Sequence, residues 1–423
     1  MSNKLASIDL QQKTNNIDIM KLDANPYKGT RDFYPKDSVI NWSDSVHDQA
    51  KQNYIFGNFK HTLDSNGFLQ YSSSVIEAAE AFTAKSGDEL GSNQLYSFVD
   101  KGDRKIALRP ELTLSIARMV ANKFDNLRLP LRWYSIDNCF RYERPQKGRL
   151  REFWQVEIDI IGKEAGEVDL EIMRLTVELF KGLGAKPNMF KFLYNHRGVL
   201  EDWVKLNSWE AQKVELFKIL DDWFKVELSE KQKQLEDLLG AKDAQKVIST
   251  VAKEGEAWQE YLTLARKYDE MELILDIMPA IYPEFNIDFT PAIIRGQAYY
   301  TGLIFECFDV NPDNPRSLFG GGRFDDLLDL YGKKAPAIGL APGDTTIHHF
   351  LENWDLYPKN LTKVKRIGIL PKSLADIKEV YEVIIPKIIS ENKTFEIDYE
   401  YDRTANKRYE TLKKRGCDDV IEM

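Results

Sequence analysis

Residues 140–155 read FRYERPQKGRLREFWQ, and the rest of the chain is best understood outward from them. Five cations, Arg141, Arg144, Lys147, Arg149 and Arg151, fall within eleven residues. Guanidinium groups make charge-assisted, often bidentate bonds to phosphate oxygens, so this density suits phosphates and an RNA backbone. Downstream the pattern alternates. Trp154, Val156, Ile158 and Ile160 fall on one side of an extended segment, and Phe153, Gln155, Glu157 and Asp159 on the other. Leu131–Arg141 reads as a strand too, so it and Arg151–Ile161 predict a hairpin around the loop Tyr142–Leu150. If the hairpin is symmetric, Arg141 opposes Arg151, and Arg141, Arg151, Phe153, Gln155 and Asp159 share a face. Two arginines, an aromatic ring, an amide and a carboxylate on one face make a site rather than a core. A solvated hairpin tip is the plainer alternative for the arginines. Against it stands Phe153, placed to stack on a base while Arg141 meets a phosphate.

On the N-terminal side, Asn25–Lys36 is turn-rich and Val39–Asn66 carries helical spacing up to Gly67. Leu95–Val99 and Lys105–Leu108 read as short strands around Gly102-Asp103, and Thr113–Asn122 as a helix. On the C-terminal side, residues 168–183 form an amphipathic helix, and Gly198–Met278 shifts to long charged helices, an inserted helical domain. Strands return at Ala292–Arg295 and Thr301–Val310. A glycine run, Gly320–Gly322, opens a helix at Asp325–Tyr331, and the strand Ala337–Ala341 leads into a helix ending near Asn353. After a linker at Trp354–Val364, strand, helix, strand, helix and strand spell a small α/β domain. The expected division is a flexible tail over 1–28, a core over 29–197 and 279–353, the helical insertion over 198–278, and the last domain over 364–423.

Composition narrows the classes. The 423 residues are 43% hydrophobic and 30% charged, ordinary for a soluble globular protein of two or three domains. No run of eighteen apolar residues suggests a membrane span, and the polar start lacks the apolar stretch of a signal peptide. Cys139, Cys307 and Cys417 lie far apart and the five histidines have no ligand spacing. No metal held by His or Cys is therefore expected, and a reducing compartment, the cytoplasm, is. A net charge of −9 argues against a protein that coats nucleic acid over its whole surface and leaves any anion site local. Neither GxxxxGK[ST] nor GxGxxG occurs, so ATP would be bound without a P-loop or a Rossmann turn.

The segment 140–155 resembles motif 2 of the class II aminoacyl-tRNA synthetases in the form found in histidyl-tRNA synthetase. Other stretches agree, in family order: Gly29–Pro35 (GTRDFYP), Leu108–Thr113 (LRPELT), Ile294–Gly302 (IRGQAYYTG) and Gly321–Asp325 (GGRFD). The resemblance covers residues 29 to about 345. It implies an α+β fold, an antiparallel sheet flanked by helices, with the helical insertion and an anticodon-binding-like C-terminal domain. It also implies activation of L-histidine by ATP with Mg²⁺, transfer to tRNA(His), and a homodimer built largely on Gly29 to about Gly67. Catalytic roles then fall to Arg141 and Arg295 at the α-phosphate. Glu111, Leu112, Thr113, Gln155, Asp159, Tyr299 and Tyr300 would bind histidine; Glu143, Arg149 and Phe153 would join the two arginines at ATP; Arg144 and Gln146 would meet the tRNA acceptor. The alternative is a non-catalytic paralogue, such as the regulatory subunit of ATP phosphoribosyltransferase, that binds histidine as a signal.

Three departures stand out. Ala298 replaces the usual aspartate before the tyrosine pair. The family's last motif opens its helix with glycine-Glu-Arg, whereas this chain has Gly343-Asp344-Thr345-Thr346 and lacks that arginine, which would hold the γ-phosphate. The C-terminal domain stops at Met423, short of the family's last strand and helix.

Overall fold

The computed structural model describes residues 23–35, 48–83, 93–294, 299–359, 361 and 365–423. In chain order, α1 (Gln49–Ser65) leads to β1 (Leu69–Gln70), β2 (Ile76–Ala78), α2 (Ala79–Thr83), β3 (Ser97–Val99), β4 (Lys105–Leu108) and α3 (Thr113–Lys123). The hairpin β5 (Leu131–Phe140) and β6 (Glu152–Ile161) follows, then α4 (Glu167–Gly182) and β7 (Phe190–His196). A helical stretch runs from α5 (Arg197–Leu206) through α6 (Lys213–Asp221), α7 (Leu228–Leu239), α8 (Ala241–Ala252), α9 (Gly255–Ala265) and α10 (Asp269–Ile281). The chain then returns through β8 (Asn286–Phe289), β9 (Leu303–Asp309), β10 (Ser317–Arg323) and β11 (Ala337–Leu340) to α11 (Asp344–Asn353).

Among the described residues, one eight-stranded sheet has the order β1-β5-β6-β11-β10-β9-β7-β8, and β2, β4 and β3 form a small antiparallel sheet beside it. Pairing from β5 across to β7 is antiparallel, with parallel strands at the two edges. The hairpin register pairs Phe140 with Glu152 and Asp137 with Gln155, and the Arg141 N–H donates to the Arg151 carbonyl at 2.9 Å, the symmetric closure expected. Its apolar side, Val156, Ile158 and Ile160, is buried in one core with Ile55, Phe59 and Leu63 of α1 and Ile172, Met173 and Leu175 of α4. Helical spacing brings each of those sets onto one face. The polar side of β6 is left to face the other way.

The helical stretch shares this core. Trp203 packs edge-on to Tyr261 at 5.2 Å between ring centroids, and Tyr261 stacks on Phe289 of β8 at 5.3 Å. Arg323 and Asp169 make a buried bidentate ion pair, Nη2 to Oδ2 at 2.6 Å, tying β10 to the start of α4. The C-terminal unit is a parallel sheet, β13 (Thr394–Ile397), β12 (Arg366–Leu370) and β14 (Asp419–Glu422), with helix α14 (Ala405–Lys414) between β13 and β14. Its first helix is broken into α12 (Ile377–Glu379) and α13 (Ile385–Ser390) by a wide turn at Val380–Ile384. Pro386 has no N–H for an i→i−4 bond, which accounts for the break.

Three expectations change. The predicted helix over Val39–Asn66 begins at Gln49, where the extended Asp48 caps it by accepting from the Ala50 N–H; residues 36–47 lie outside the described residues. Residues 292–294 are not a strand; the extended segment lies earlier, at Asn286–Phe289. Gly320–Gly322 does not open a helix but sits inside β10, and a single 3₁₀ turn, Leu328–Tyr331, follows. The glycines are there for close approach: a Cβ at Gly321 would lie 2.5 Å from Cζ of Phe305 on β9.

Candidate active site

A cavity of about 810 Å³ opens on the face of β6 that carries Phe153, Gln155 and Glu157. At one end, Nε of Arg141 donates to the Pro110 carbonyl at 2.9 Å, and its guanidinium sits 5.0 Å from the centroid of the Phe153 ring. An aromatic plane and a cation thus stand side by side, as a nucleobase and its nearest phosphate require. Arg109, fully buried, anchors the preceding turn, donating to the carbonyls of Asn138 at 2.8 Å and Ser73 at 2.9 Å. Arg149 forms a two-point ion pair with Glu143 on the hairpin loop.

The other end gathers carboxylates and hydroxyls. Glu111, Thr113, Gln155, Glu157, Tyr299 and Tyr300 all line it. The Thr113 hydroxyl donates to Glu157, and the Tyr299 hydroxyl to Glu111 at 3.4 Å. Burial pushes the Glu157 carboxyl up to about 8, with the charge of Glu111 adding to the rise and the Thr113 bond opposing it. Gly322 makes room here, since a Cβ would come within 2.8 Å of Cδ1 of Tyr300 and 2.6 Å of the Leu303 carbonyl. Two acids with convergent hydroxyls and an amide suit a small cationic amino acid.

The cavity therefore joins Glu111, Thr113, Arg141, Glu143, Arg149, Phe153, Gln155, Tyr299 and Tyr300, all expected from sequence. Others are placed differently. Asp159 does not line the cavity: it is fully buried beside its cross-strand partner Gly339 on β11, where a Cβ would overlap its carboxylate. Neither of its oxygens has a hydrogen-bond partner among the described residues, and burial holds its proton far above the usual carboxylate range. Leu112 is also fully buried and caps the start of α3 without reaching the cavity. Arg151 leaves the shared face at the hairpin mouth. Its Nε donates to the Glu143 carbonyl at 3.0 Å and its guanidinium lies over Tyr142 at 4.3 Å, while its backbone N–H bonds the Gly29 carbonyl at 2.7 Å. Arg144 and Gln146 are exposed on the loop. Arg295 and Ala298 lie outside the described residues.

Glu157 and Arg316 are among the lining residues that the sequence reading of the site did not name. Glu157 had a usable signal, since it alternates in phase with Gln155. Arg316 had none, because its place depends on how β10 meets the hairpin loop.

The antiparallel sheet, its cation-rich hairpin and the polar cavity between them define the catalytic domain of a class II aminoacyl-tRNA synthetase. The family model described as histidyl-tRNA synthetase matches residues 45–343. A protein named histidine–tRNA ligase from Leptospira biflexa is 37% identical over 358 residues, covering 80% of this chain and 76% of its own. One of the same name from Pyrococcus abyssi is 32% identical over 372 residues, 85% and 82% of the two chains. This chain belongs to the histidyl-tRNA synthetase family. Among solved structures, histidyl-tRNA synthetase from Nostoc sp. PCC 7120 superposes with a TM-score of 0.72 at 20% identity, over 91% of this chain and 92% of that one. A protein titled ATP phosphoribosyltransferase regulatory subunit/histidyl-tRNA synthetase from Bacillus halodurans gives 0.72 at 21% identity, over 95% and 98%. At those identities the likeness is one of fold.

Proposed function

We propose that the protein is a histidine–tRNA ligase, activating L-histidine with ATP and transferring it to the 3′ end of tRNA(His). The observation that carries this is the cavity's polarity: an arginine–phenylalanine pair and a carboxylate–hydroxyl cluster line the same cavity. Glu111, with Thr113 and Glu157, receives the α-ammonium; Gln155 and the two tyrosines address the carboxylate and imidazole. Phe153 stacks on adenine and Arg141 meets the α-phosphate. The histidine carboxylate, already ionised, attacks the α-phosphorus as pyrophosphate leaves, so no general base is needed. Positioning and preformed positive charge do the catalytic work.

Magnesium fits the donor set. Glu143 and Glu306 bring carboxylates to the cavity, and this ion is typically held by one or two carboxylates together with substrate phosphates. Bound there it would neutralise charge on the phosphate chain. Arg144 and Gln146, exposed on the loop, are offered to the tRNA acceptor. A cytoplasmic homodimer completes the reading; among the described residues no helix is long and apolar enough to cross a membrane. Histidine-dependent exchange of labelled pyrophosphate into ATP tests the proposal. A chain that binds histidine yet shows no exchange is a regulatory paralogue instead.

A further inference from the structure

We propose that Arg316, which nothing in the family's motifs designates, grips the pyrophosphate end of ATP during activation; the role rests on the reaction proposed above. Arg316 immediately precedes β10 and lines the cavity. Its backbone is held in place because Ser317 pairs with Phe308 of β9 and the Ser317 hydroxyl bonds the carbonyls of Phe319 at 3.0 Å and Cys307 at 3.4 Å. Against its side chain lies Gly148, in the cationic hairpin loop with φ +75°. An ideal Cβ on Gly148 would stand 3.2 Å from Cδ and 4.0 Å from Nε of Arg316, and 3.6 Å from Cγ2 of Thr346. Arg316 therefore reaches, from the β10 side, the spot beside Thr346, where the family's glycine-Glu-Arg helix start carries its arginine and this chain does not.

The charges around it leave this cation unspent. Arg149 is paired with Glu143, and Lys225 with Asp221 and Asp222. The cavity-lining Asp309 accepts from Trp354 Nε1 at 2.9 Å, Asn314 Nδ2 at 3.0 Å and the Asn311 N–H at 2.8 Å. Asp344, in the first turn of α11, is committed to Arg31 at 2.5 Å and to the Trp154 N–H at 3.0 Å. Arg316 makes no ion pair or hydrogen bond with any described residue. The start of α11, with Gly343, Thr345 and Thr346 on the cavity wall, adds a second positive element at the same end. Arg141 and Phe153 account for the base and first phosphate, so the anion left for Arg316 is the β,γ-diphosphate.

The test compares wild type with Arg316→Ala and Arg316→Lys in pyrophosphate exchange, with AMP as competitor, and in tripolyphosphate binding by calorimetry. Removing a hydrogen-bonded charge contact weakens binding by about ten- to hundredfold. Arg316→Ala is expected to raise the KM for ATP and pyrophosphate by that factor, leave the KM for histidine and inhibition by AMP unchanged, and lose tripolyphosphate binding, with Lys restoring part. Equal weakening toward AMP and histidine would make Arg316 a structural residue and overturn the proposal. So would normal exchange with a slowed transfer to tRNA, which would assign it to the RNA backbone. Should the wild type show no exchange while binding tripolyphosphate through Arg316, the phosphate contact stands and the ligase reaction is what fails.

Discussion

Replacing Glu157 with glutamine should make the free protein more stable above neutral pH while crippling its hold on histidine. In the folded chain the Glu157 carboxyl is pushed up to about 8 from its ordinary 4.5, by burial first and then by the charge of Glu111. A raised acid keeps its proton longer in the folded state than in the unfolded one. Between the two values the folded state binds more protons, so stability falls as pH rises. The slope is at most about 1.4 kcal/mol per pH unit, which over this interval gives a ceiling of about 5 kcal/mol. The penalty is absent near pH 4.5 and complete above pH 8. Glutamine keeps the acceptor that Thr113 bonds, and presents an amide where Oε2 has no partner among the described residues. The protonated acid also presents a donor, so the two proteins match near pH 5. Thermal melts from pH 5 to 8.5 should diverge steadily, with Glu157→Gln several degrees higher at the alkaline end. In the samples above pH 8, where Glu157 is ionised, histidine should bind about ten- to hundredfold more weakly to the variant, because a carboxylate facing the ammonium has gone. Parallel melting curves would refute the assigned burial cost. Unchanged histidine affinity would remove Glu157 from the substrate site.

Other outcomes follow from the same geometry. Arg141→Ala should lower the rate of pyrophosphate exchange by about 10²–10³, the effect of removing one preorganised group at developing charge, with histidine binding by calorimetry intact. Gly322→Ala places a methyl 2.6 Å from the Leu303 carbonyl and 2.8 Å from the Tyr300 ring. It should cost about 1–3 kcal/mol in urea unfolding and raise the KM for histidine, because the tyrosine must move. Asp169→Asn strips the buried partner of Arg323 and should lower stability by about 3–5 kcal/mol, with a near-wild-type KM for ATP in whatever fraction remains folded.

The hairpin was legible because three signals coincided: period-two alternation over Glu152–Ile161, a tip dense in charge, and matched strand lengths that fix the register. Its catalytic face followed from parity alone. The limits were those of parity as well. Asp159 is in phase with Gln155 and Glu157, yet its carboxylate occupies the space left by Gly339 on the neighbouring strand β11, and only the sheet order reveals that. Arg151 is in phase too, but just before the strand begins a carbonyl and a tyrosine ring capture its guanidinium. The glycine run misled because flexibility in sequence has two causes, a turn or a close crossing, and β10 uses the second. β7 is buried among other strands and helices, so its apolar run carries no alternation to mark it.

The stacking of Tyr261 on Phe289, and the packing of Trp203 behind it, bears on any attempt to trim this protein. A segment that folds apart can be cut out and its flanks rejoined by a short linker. Here excision would strip the aromatic backing from an edge strand and expose an unprotected sheet to solvent and to its neighbours. The helical stretch should therefore resist deletion, and shortened versions should aggregate rather than persist as minimal enzymes.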